Sequence, residues 1–197
     1  MRGALIRFTA ALMVIAAATP RRPFPDRPPL AHTGGFGEPT CARCHQGEPL
    51  NDPRGQLSLT GFPREYRPGE THALTVQLRR ADMGKAGFQV SVRYLTGERA
   101  GQTAGVLTAT DDRATAAESL GVRYAFHTAA GTALSGRGEA RWRLTWTAPR
   151  AADSVVAHVV ANAANDDASE LSDHVYADSS ISAPAAPRRP DTPRRAP

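Results

Sequence analysis

The sequence predicts an all-β fold, an antiparallel immunoglobulin-like β-sandwich of seven or eight strands. Three observations lead to this prediction. From residue 54 onward, apolar residues recur at every second position, as they do in strands that bury one face. Turn signals such as Arg67-Pro68-Gly69-Glu70 separate the apolar runs at short intervals. No stretch carries the apolar stripe of an amphipathic helix. Short strands at this spacing are typical of a sandwich.

Each predicted strand has its own apolar face. Leu74, Val76 and Leu78 share one face of the second strand, and most other strands alternate in the same way. The stretch 155–163 is nearly all apolar, which predicts a strand that is buried on both faces. The strands are predicted at residues 56–60, 71–79, 87–95, 106–110, 122–128, 140–147, 155–163 and 173–180, with a polar loop at 111–119.

The two ends of the chain differ in composition from the predicted sandwich. Residues 1–18 begin with Arg2 and Arg7 and continue into a short apolar run that ends in alanines, the pattern of a signal peptide. Residues 19–33 are rich in Pro and Arg and are expected to form an extended linker, and residues 183–197 a disordered tail. The apolar run is shorter than the roughly 20 residues of a membrane span. We therefore expect an exported protein, periplasmic or secreted, with no integral membrane span after signal cleavage; an uncleaved N-terminal anchor is the alternative.

The net charge of +5 is concentrated in these ends. The sandwich domain is placed at residues 34–182, and residues 31–182 carry 15 basic and 17 acidic side chains. A nearly neutral domain is not expected to bind the phosphates of nucleic acid. The sequence also lacks the Ser/His/Asp arrangements, phosphate loops and paired carboxylates of hydrolases and transferases. It therefore predicts a protein that is not an enzyme.

Residues 34–53 precede the first predicted strand and contain a CARCH motif at positions 41–45. In a Cys-x-x-Cys-His motif, two thiols can add to the two vinyl groups of one porphyrin edge, and the imidazole that follows can bind the iron. The motif predicts one covalently attached haem c per chain. Cys41 and Cys44 would form the thioethers, and His45 would be the proximal iron ligand. Export agrees with this prediction because c-type haem is attached outside the cytoplasm.

The cysteine pair has other interpretations. Two thiols of an exported protein usually form a disulfide, although a bridge across two residues closes a very small loop and would stabilise the domain little. A thioredoxin-like redox pair would need a βαβ pattern, which is absent. A zinc site would need a second Cys/His cluster nearby. Haem is the first hypothesis, and a disulfide or free thiols are the alternative.

The residues alone leave the second iron ligand open. The candidates are His32, His72, His127, His158, His174 and Met83. His127 alternates out of phase with Tyr124 and Phe126, so it is expected to leave the strand on the opposite side and to reach a haem outside or at one end of the sandwich. Met83 lies in a loop and would raise the potential relative to a second histidine. His158, in the most apolar strand, is expected to be packed in the core.

A group of acidic and amide residues lies between the last two predicted strands. Asn165, Asp166 and Asp167, together with Asp173, suggest a calcium-binding loop. Their spacing does not match a known loop for hard cations, so a polar hairpin turn is predicted instead.

Several segments, in order, resemble one protein family. They are a TCxxCH segment followed by GFPREYRPGETHALTVQL, GFQV, YAFHTAAG, WRLTWTAP and ANAANDDASELSDHVY. Over residues 34–180 they are similar to the bacterial choice-of-anchor V domain, a reelin-domain-like (Reeler-like) β-sandwich of exported proteins. The resemblance implies haem attachment at Cys41, Cys44 and His45. It also favours His127 as the distal ligand, because the family's His-Thr after an aromatic strand maps to His127-Thr128. The family usually ends in a surface anchor, which is not found here, so a periplasmic or released protein is expected.

The first functional hypothesis is an exported monohaem c-type cytochrome-like protein that serves electron transfer or redox and ligand sensing, with an unidentified redox partner protein. The second is a non-haem reelin-like adhesion or extracellular binding module, in which the cysteine pair is structural or incidental. The residues do not predict a redox potential or an oligomeric state.

Overall fold

A computed structural model describes residues 27–186, which form ten β-strands and two short 3₁₀-helices. The strands are β1 (Gly55–Thr60), β2 (Glu65–Tyr66), β3 (Thr71–Arg80), β4 (Lys85–Tyr94), β5 (Val106–Ala109), β6 (Ala114–Ser119), β7 (Val122–His127), β8 (Glu139–Thr147), β9 (Val155–Ala164) and β10 (His174–Pro184). The 3₁₀-helices are Cys41–Arg43 and Ala130–Thr132. Neither helix is long and apolar enough to cross a membrane. The signal peptide predicted for residues 1–18 lies outside the described residues.

The strands form two sheets that pack as a sandwich, so the predicted fold class is confirmed. The four-stranded sheet has the order β1-β3-β8-β5, and the six-stranded sheet has the order β2-β10-β9-β4-β7-β6. Neighbouring strands are antiparallel, except that β10 forms a short parallel pair with β2. Eight of these strands correspond to the eight predicted from apolar alternation.

The core between the sheets is built around two tryptophans of β8. Trp142 and Trp146 are fully buried, and their indole N–H groups donate to the carbonyls of Gly131 and Ala104, both at 2.9 Å. Phe88 of β4 stacks on Trp142 with 4.6 Å between the ring centroids. Burial of a large apolar side chain contributes about 1.5–3 kcal/mol, and the indole hydrogen bonds let these rings be buried without leaving a donor unpaired.

Two strands and one strand end differ from the prediction. The strand β6 lies within the predicted polar loop 111–119, and among its residues only Ala114 is fully buried. It is an edge strand of the six-stranded sheet, so it shows little apolar alternation. The strand β2 has two residues, too few for a recognisable pattern. The strand β10 continues through Ala183 and Pro184, where it pairs with β2, so the first two residues of the expected tail belong to the sheet.

The residues before β1 pack on the outer face of the six-stranded sheet, where Leu30 and Ala31 contact a cluster that is separate from the core. The Gln89 side chain of β4 accepts the backbone N–H of His32 at 2.8 Å and donates to the carbonyl of Pro29 at 3.1 Å. The end of the expected linker therefore differs from a free spacer. Because this segment covers the sheet from outside, β9 is buried on both faces along most of its length.

Candidate functional site

The CARCH motif begins in the 3₁₀-helix Cys41–Arg43. The side chain of Thr40 caps this helix by accepting the N–H of Ala42 at 3.3 Å. Both cysteines are free thiols; Cys41 is half-buried and Cys44 is exposed. Burial raises the pKa of Cys41 to about 12, so this thiol is protonated at neutral pH and is a weak nucleophile.

A buried carboxylate holds the imidazole of His45. Its Nδ1 lies 2.6 Å from Oδ2 of Asp173, whose side chain is 0% exposed. The side-chain nitrogen of Asn162 lies 3.0 Å from the same oxygen and 3.1 Å from Nδ1. The other carboxylate oxygen accepts the backbone N–H of Asn165 at 3.1 Å. With Nδ1 directed at the carboxylate, Nε2 is the nitrogen left for other chemistry, and it forms no hydrogen bond with the described residues.

Backbone contacts bring the carboxylate to the motif. The N–H of Gln46 donates to the carbonyl of Glu170, and the N–H of Ser172 donates to the carbonyl of Gln46, both at 3.0 Å. Gln46 and Leu171 thereby form a short parallel bridge between the motif and the loop that joins β9 to β10. The sequence predicted only a polar turn for this loop. The contact made by Asp173 was missed because no local pattern signals it.

His127, the predicted distal ligand, ends β7. Its Nδ1 lies 3.0 Å from the backbone nitrogen and 3.2 Å from the backbone oxygen of Phe88. Tyr124 and Phe126 lie on the outer face of the sheet, against the N-terminal segment. The expectation that alternation with them directs His127 to the outside is therefore wrong, and its ring lies at the strand end, against the backbone of Phe88. Burial lowers the pKa of His127, the contact with Phe88 opposes this, and the neighbouring His45 lowers it further. The lowered pKa favours the neutral form of the ring.

The other candidates for the second ligand have different surroundings. Met83 is buried in the core between the sheets. His72 stacks on Trp146 with 5.8 Å between the ring centroids. His158 lies on the outer face of β9, where its ring meets Phe36 edge-on at 5.6 Å. The N-terminal segment therefore covers it. The sequence-based expectation that His158 packs in the core between the sheets is wrong. His32 contacts the carbonyl of Leu30 at 2.9 Å.

Glu48, Asp52 and His174 form another group whose ligand atoms lie within 4.8 Å of one another. Asp52 already accepts hydrogen bonds from Arg54 through both carboxylate oxygens, and Arg80 lies 3.6 Å away. The contacts with Arg54 hold the pKa of Asp52 well below its usual range. Because two guanidinium groups already neutralise this carboxylate, the group is an ion cluster and a poor site for a cation.

Two clefts are lined mainly by residues of the four-stranded sheet and its adjoining loops. One, of about 460 Å³, is lined by residues that include Arg54, Arg79 and Arg137. The second, of about 230 Å³, includes Arg113 and Arg143. Neither cleft is lined by a residue of the CARCH motif.

No protein-family model matches the chain, and no curated protein matches it. Similar solved structures include a human F-spondin reeler domain, with 16% identity, a TM-score of 0.40, and coverage of 66% of this chain and 89% of that one. The Reelin-N domain of F-spondin has 16% identity, a TM-score of 0.45, and coverage of 74% and 96%. A cohesin module from Clostridium perfringens has 11% identity, a TM-score of 0.45, and coverage of 66% and 95%.

Reeler domains are thus among the structures to which the chain is similar. The similarity to the choice-of-anchor V domain remains a resemblance, since no family model matches. The fold class rests on the chain's own two sheets.

Proposed function

We propose that the protein is an exported carrier of one covalently attached haem c, with thioethers at Cys41 and Cys44 and iron bound by His45. The observation that carries this proposal is the 2.6 Å contact between Nδ1 of His45 and the buried Asp173 carboxylate. A metal-binding imidazole commonly donates its other N–H to such a group, which fixes the tautomer and the orientation of the ring. When bound, the haem supplies a one-electron couple or an iron that binds small ligands.

The chemistry of the donor set fits this group. Two free thiols lie on one helical turn and are followed at once by an imidazole. When Nδ1–H donates to Asp173, Nε2 keeps a bare lone pair, which is what iron requires. These features support haem over a disulfide as the purpose of the cysteine pair, because a disulfide would make no use of an oriented histidine beside it.

His127 would be the second protein ligand of the iron. Its two possible tautomers have different consequences. With the proton on Nδ1, the ring donates to the carbonyl of Phe88 and Nε2 is free to bind iron. With the proton on Nε2, Nδ1 accepts the N–H of Phe88 and the ring offers a hydrogen bond to a small molecule at the iron. The first tautomer favours electron transfer, and the second favours sensing.

The proposal is tested by expressing the full chain, with its predicted signal peptide (residues 1–18), in bacteria with and without a cytochrome c maturation system. Only in the host that has the maturation system do we expect a mass increase of one haem and a Soret band that survives acid–acetone extraction. The double variant Cys41→Ser/Cys44→Ser is the matched control and should be colourless. A wild-type product with unmodified thiols and no pigment in both hosts would overturn the proposal.

The second candidate is a non-haem reelin-like adhesion or extracellular binding module. It is favoured by the independence of the sandwich from the motif, because no residue of the 3₁₀-helix Cys41–Arg43 is fully buried and the core cluster contains neither cysteine. Such a module would fold and bind its partner without pigment. A stable, colourless product from the maturation-competent host would support this candidate.

A further inference from the structure

We propose that Asp173 is a positioning residue that acts through His45 to strengthen electron donation to the iron, and that Asn162 holds Asp173 in place. This inference rests on the proposed function, since it concerns a haem bound at His45. It deepens that function, because it gives the carboxylate at the end of the loop between β9 and β10 an effect on the potential of the haem.

The Asp173 carboxylate is buried, and its charge is directed at the imidazole. Its contacts are the His45 ring, the Asn162 amide and the backbone N–H of Asn165. Within residues 27–186, no Lys or Arg side chain forms a salt bridge with it. A buried carboxylate that lacks a cationic partner is costly unless it is well hydrogen-bonded. Among the three groups that contact the carboxylate, the His45 imidazole is therefore the one that can carry positive charge.

Asn162 is placed for this contact at some cost to the fold. It is 7% exposed, and its amide nitrogen lies 3.0 Å from the carboxylate of Asp173. Its amide oxygen is buried without a hydrogen-bond partner, which is unfavourable for stability. Stability alone does not explain an amide at this position. Because β9 is a central strand, it gives the carboxylate a firmer support than the loop would.

The consequence for the iron follows from the charge. An imidazole that donates Nδ1–H to a carboxylate is more basic at Nε2 than one that donates to a neutral carbonyl. A more basic ligand stabilises the ferric state more than the ferrous state, because the ferric ion carries the larger positive charge. A haem at His45 is therefore expected to have a lower midpoint potential than it would have without Asp173.

The test compares variants of the haem-loaded full chain. In Asp173→Asn, haem should stay attached while the midpoint potential rises and the electron paramagnetic resonance signal of the ferric haem shifts. Asp173→Glu, which keeps the charge, should restore part of the wild-type potential. The matched control is Asp166→Asn, an exposed carboxylate of the same loop that pairs with Lys85. Its φ of 66° suits asparagine, and its potential should equal that of the wild type.

Two further measurements keep the proposal testable should Asp173→Asn fail to fold. Asn162→Ala should move the potential in the same direction by a smaller amount. In the unmodified chain, nitrogen NMR should find the Nδ1–H tautomer at His45, and Asn162→Ala should weaken that preference. Attached haem with the same potential in all variants would overturn the role of Asp173 and leave the proposed function standing. A wild-type chain that takes up no haem would remove both.

Discussion

The ring of His127 occupies the space that a side chain at Gly87 would need. A Cβ built on Gly87 would lie 2.6 Å from Cε1 and 2.9 Å from Nδ1 of that ring. Gly87 also pairs with Asn162 in the register between β4 and β9. Gly87 thus lies between His127, the proposed second iron ligand, and Asn162, whose amide contacts His45. The missing side chain is part of the site.

Replacing Gly87 by alanine should displace the His127 ring and weaken its contact with Phe88. We expect a loss of about 1–3 kcal/mol in the free energy of unfolding, measured by urea denaturation. In the haem-loaded protein, the low-spin bands should weaken. The control is Gly136→Ala, because a Cβ there meets nothing within 4 Å. Equal losses in both variants would contradict the placement of the ring.

The role of His127 as a ligand is tested by His127→Ala in the haem-loaded protein. Loss of the second axial ligand should convert a six-coordinate low-spin iron into a five-coordinate high-spin one, and added imidazole should restore the low-spin spectrum. His158→Ala is the control, because His158 packs against Phe36 on the covered face of β9. An unchanged low-spin spectrum in His127→Ala would exclude this residue as the ligand.

A buried ion pair should make the protein sensitive to acid. Glu38 and Arg93 pair with side chains that are 11% and 5% exposed, and the hydroxyl of Tyr124 donates to the same carboxylate. Burial acts to raise the pKa of Glu38, but hydrogen bonds from Thr33, Tyr124 and Arg93 outweigh it and bring the pKa below its ordinary value of 4.5. The carboxylate therefore stabilises the fold above pH 4.5, and this contribution is lost as the pH falls through the lowered value.

Glu38→Gln should remove this ion pair and leave the buried Arg93 charge without an anionic partner, with only the Tyr124 hydroxyl as a neutral hydrogen-bond partner. We expect a loss of about 3–5 kcal/mol in the free energy of unfolding at pH 7, and a shallower decline of stability in acid. The control is Glu118→Gln, which removes an exposed partner of Arg123 and should cost at most about 1 kcal/mol. A loss no larger than that of the control would show that the N-terminal segment is not held by this pair.

The sandwich should fold without its thiols. Before haem is attached, the free energy of unfolding of Cys41→Ser/Cys44→Ser, measured by urea denaturation, should equal that of the unmodified chain to within about 0.5 kcal/mol. We expect this because neither cysteine belongs to the core cluster. A marked loss of stability would mean that the motif helps to hold the sheets together.

Most of the fold could be predicted because its strands carry large apolar side chains on alternate positions. Trp142, Leu144 and Trp146 of β8 show this clearly. The strand β6 could not be recognised in the same way, because its residues are small or polar and it lies at a sheet edge. The parallel pair of β2 with β10 depends on two residues brought together by the complete fold.

The candidate site could also be predicted only in part. The thiols and His45 are adjacent in sequence, so their chemistry could be predicted. Asp173 lies 128 positions from His45, and the contact depends on how the loop after β9 is placed. Gly87 and Asn162 meet through a strand register that alternation alone does not determine. The resemblance to the choice-of-anchor V domain favours His127 among the candidates for the second iron ligand, and this role is still a prediction.

If the chain is exported and carries the proposed haem, the long separation between His45 and its carboxylate implies an order of assembly. In a protein exported from its N-terminus, the thiols would emerge well before β10 and the residue that precedes it. Covalent attachment would then act on a chain whose imidazole still turns freely, and the ring would be fixed only when the last strand closes the six-stranded sheet. Completion of the sandwich would thus be the step that matures the iron environment, after the porphyrin is already in place.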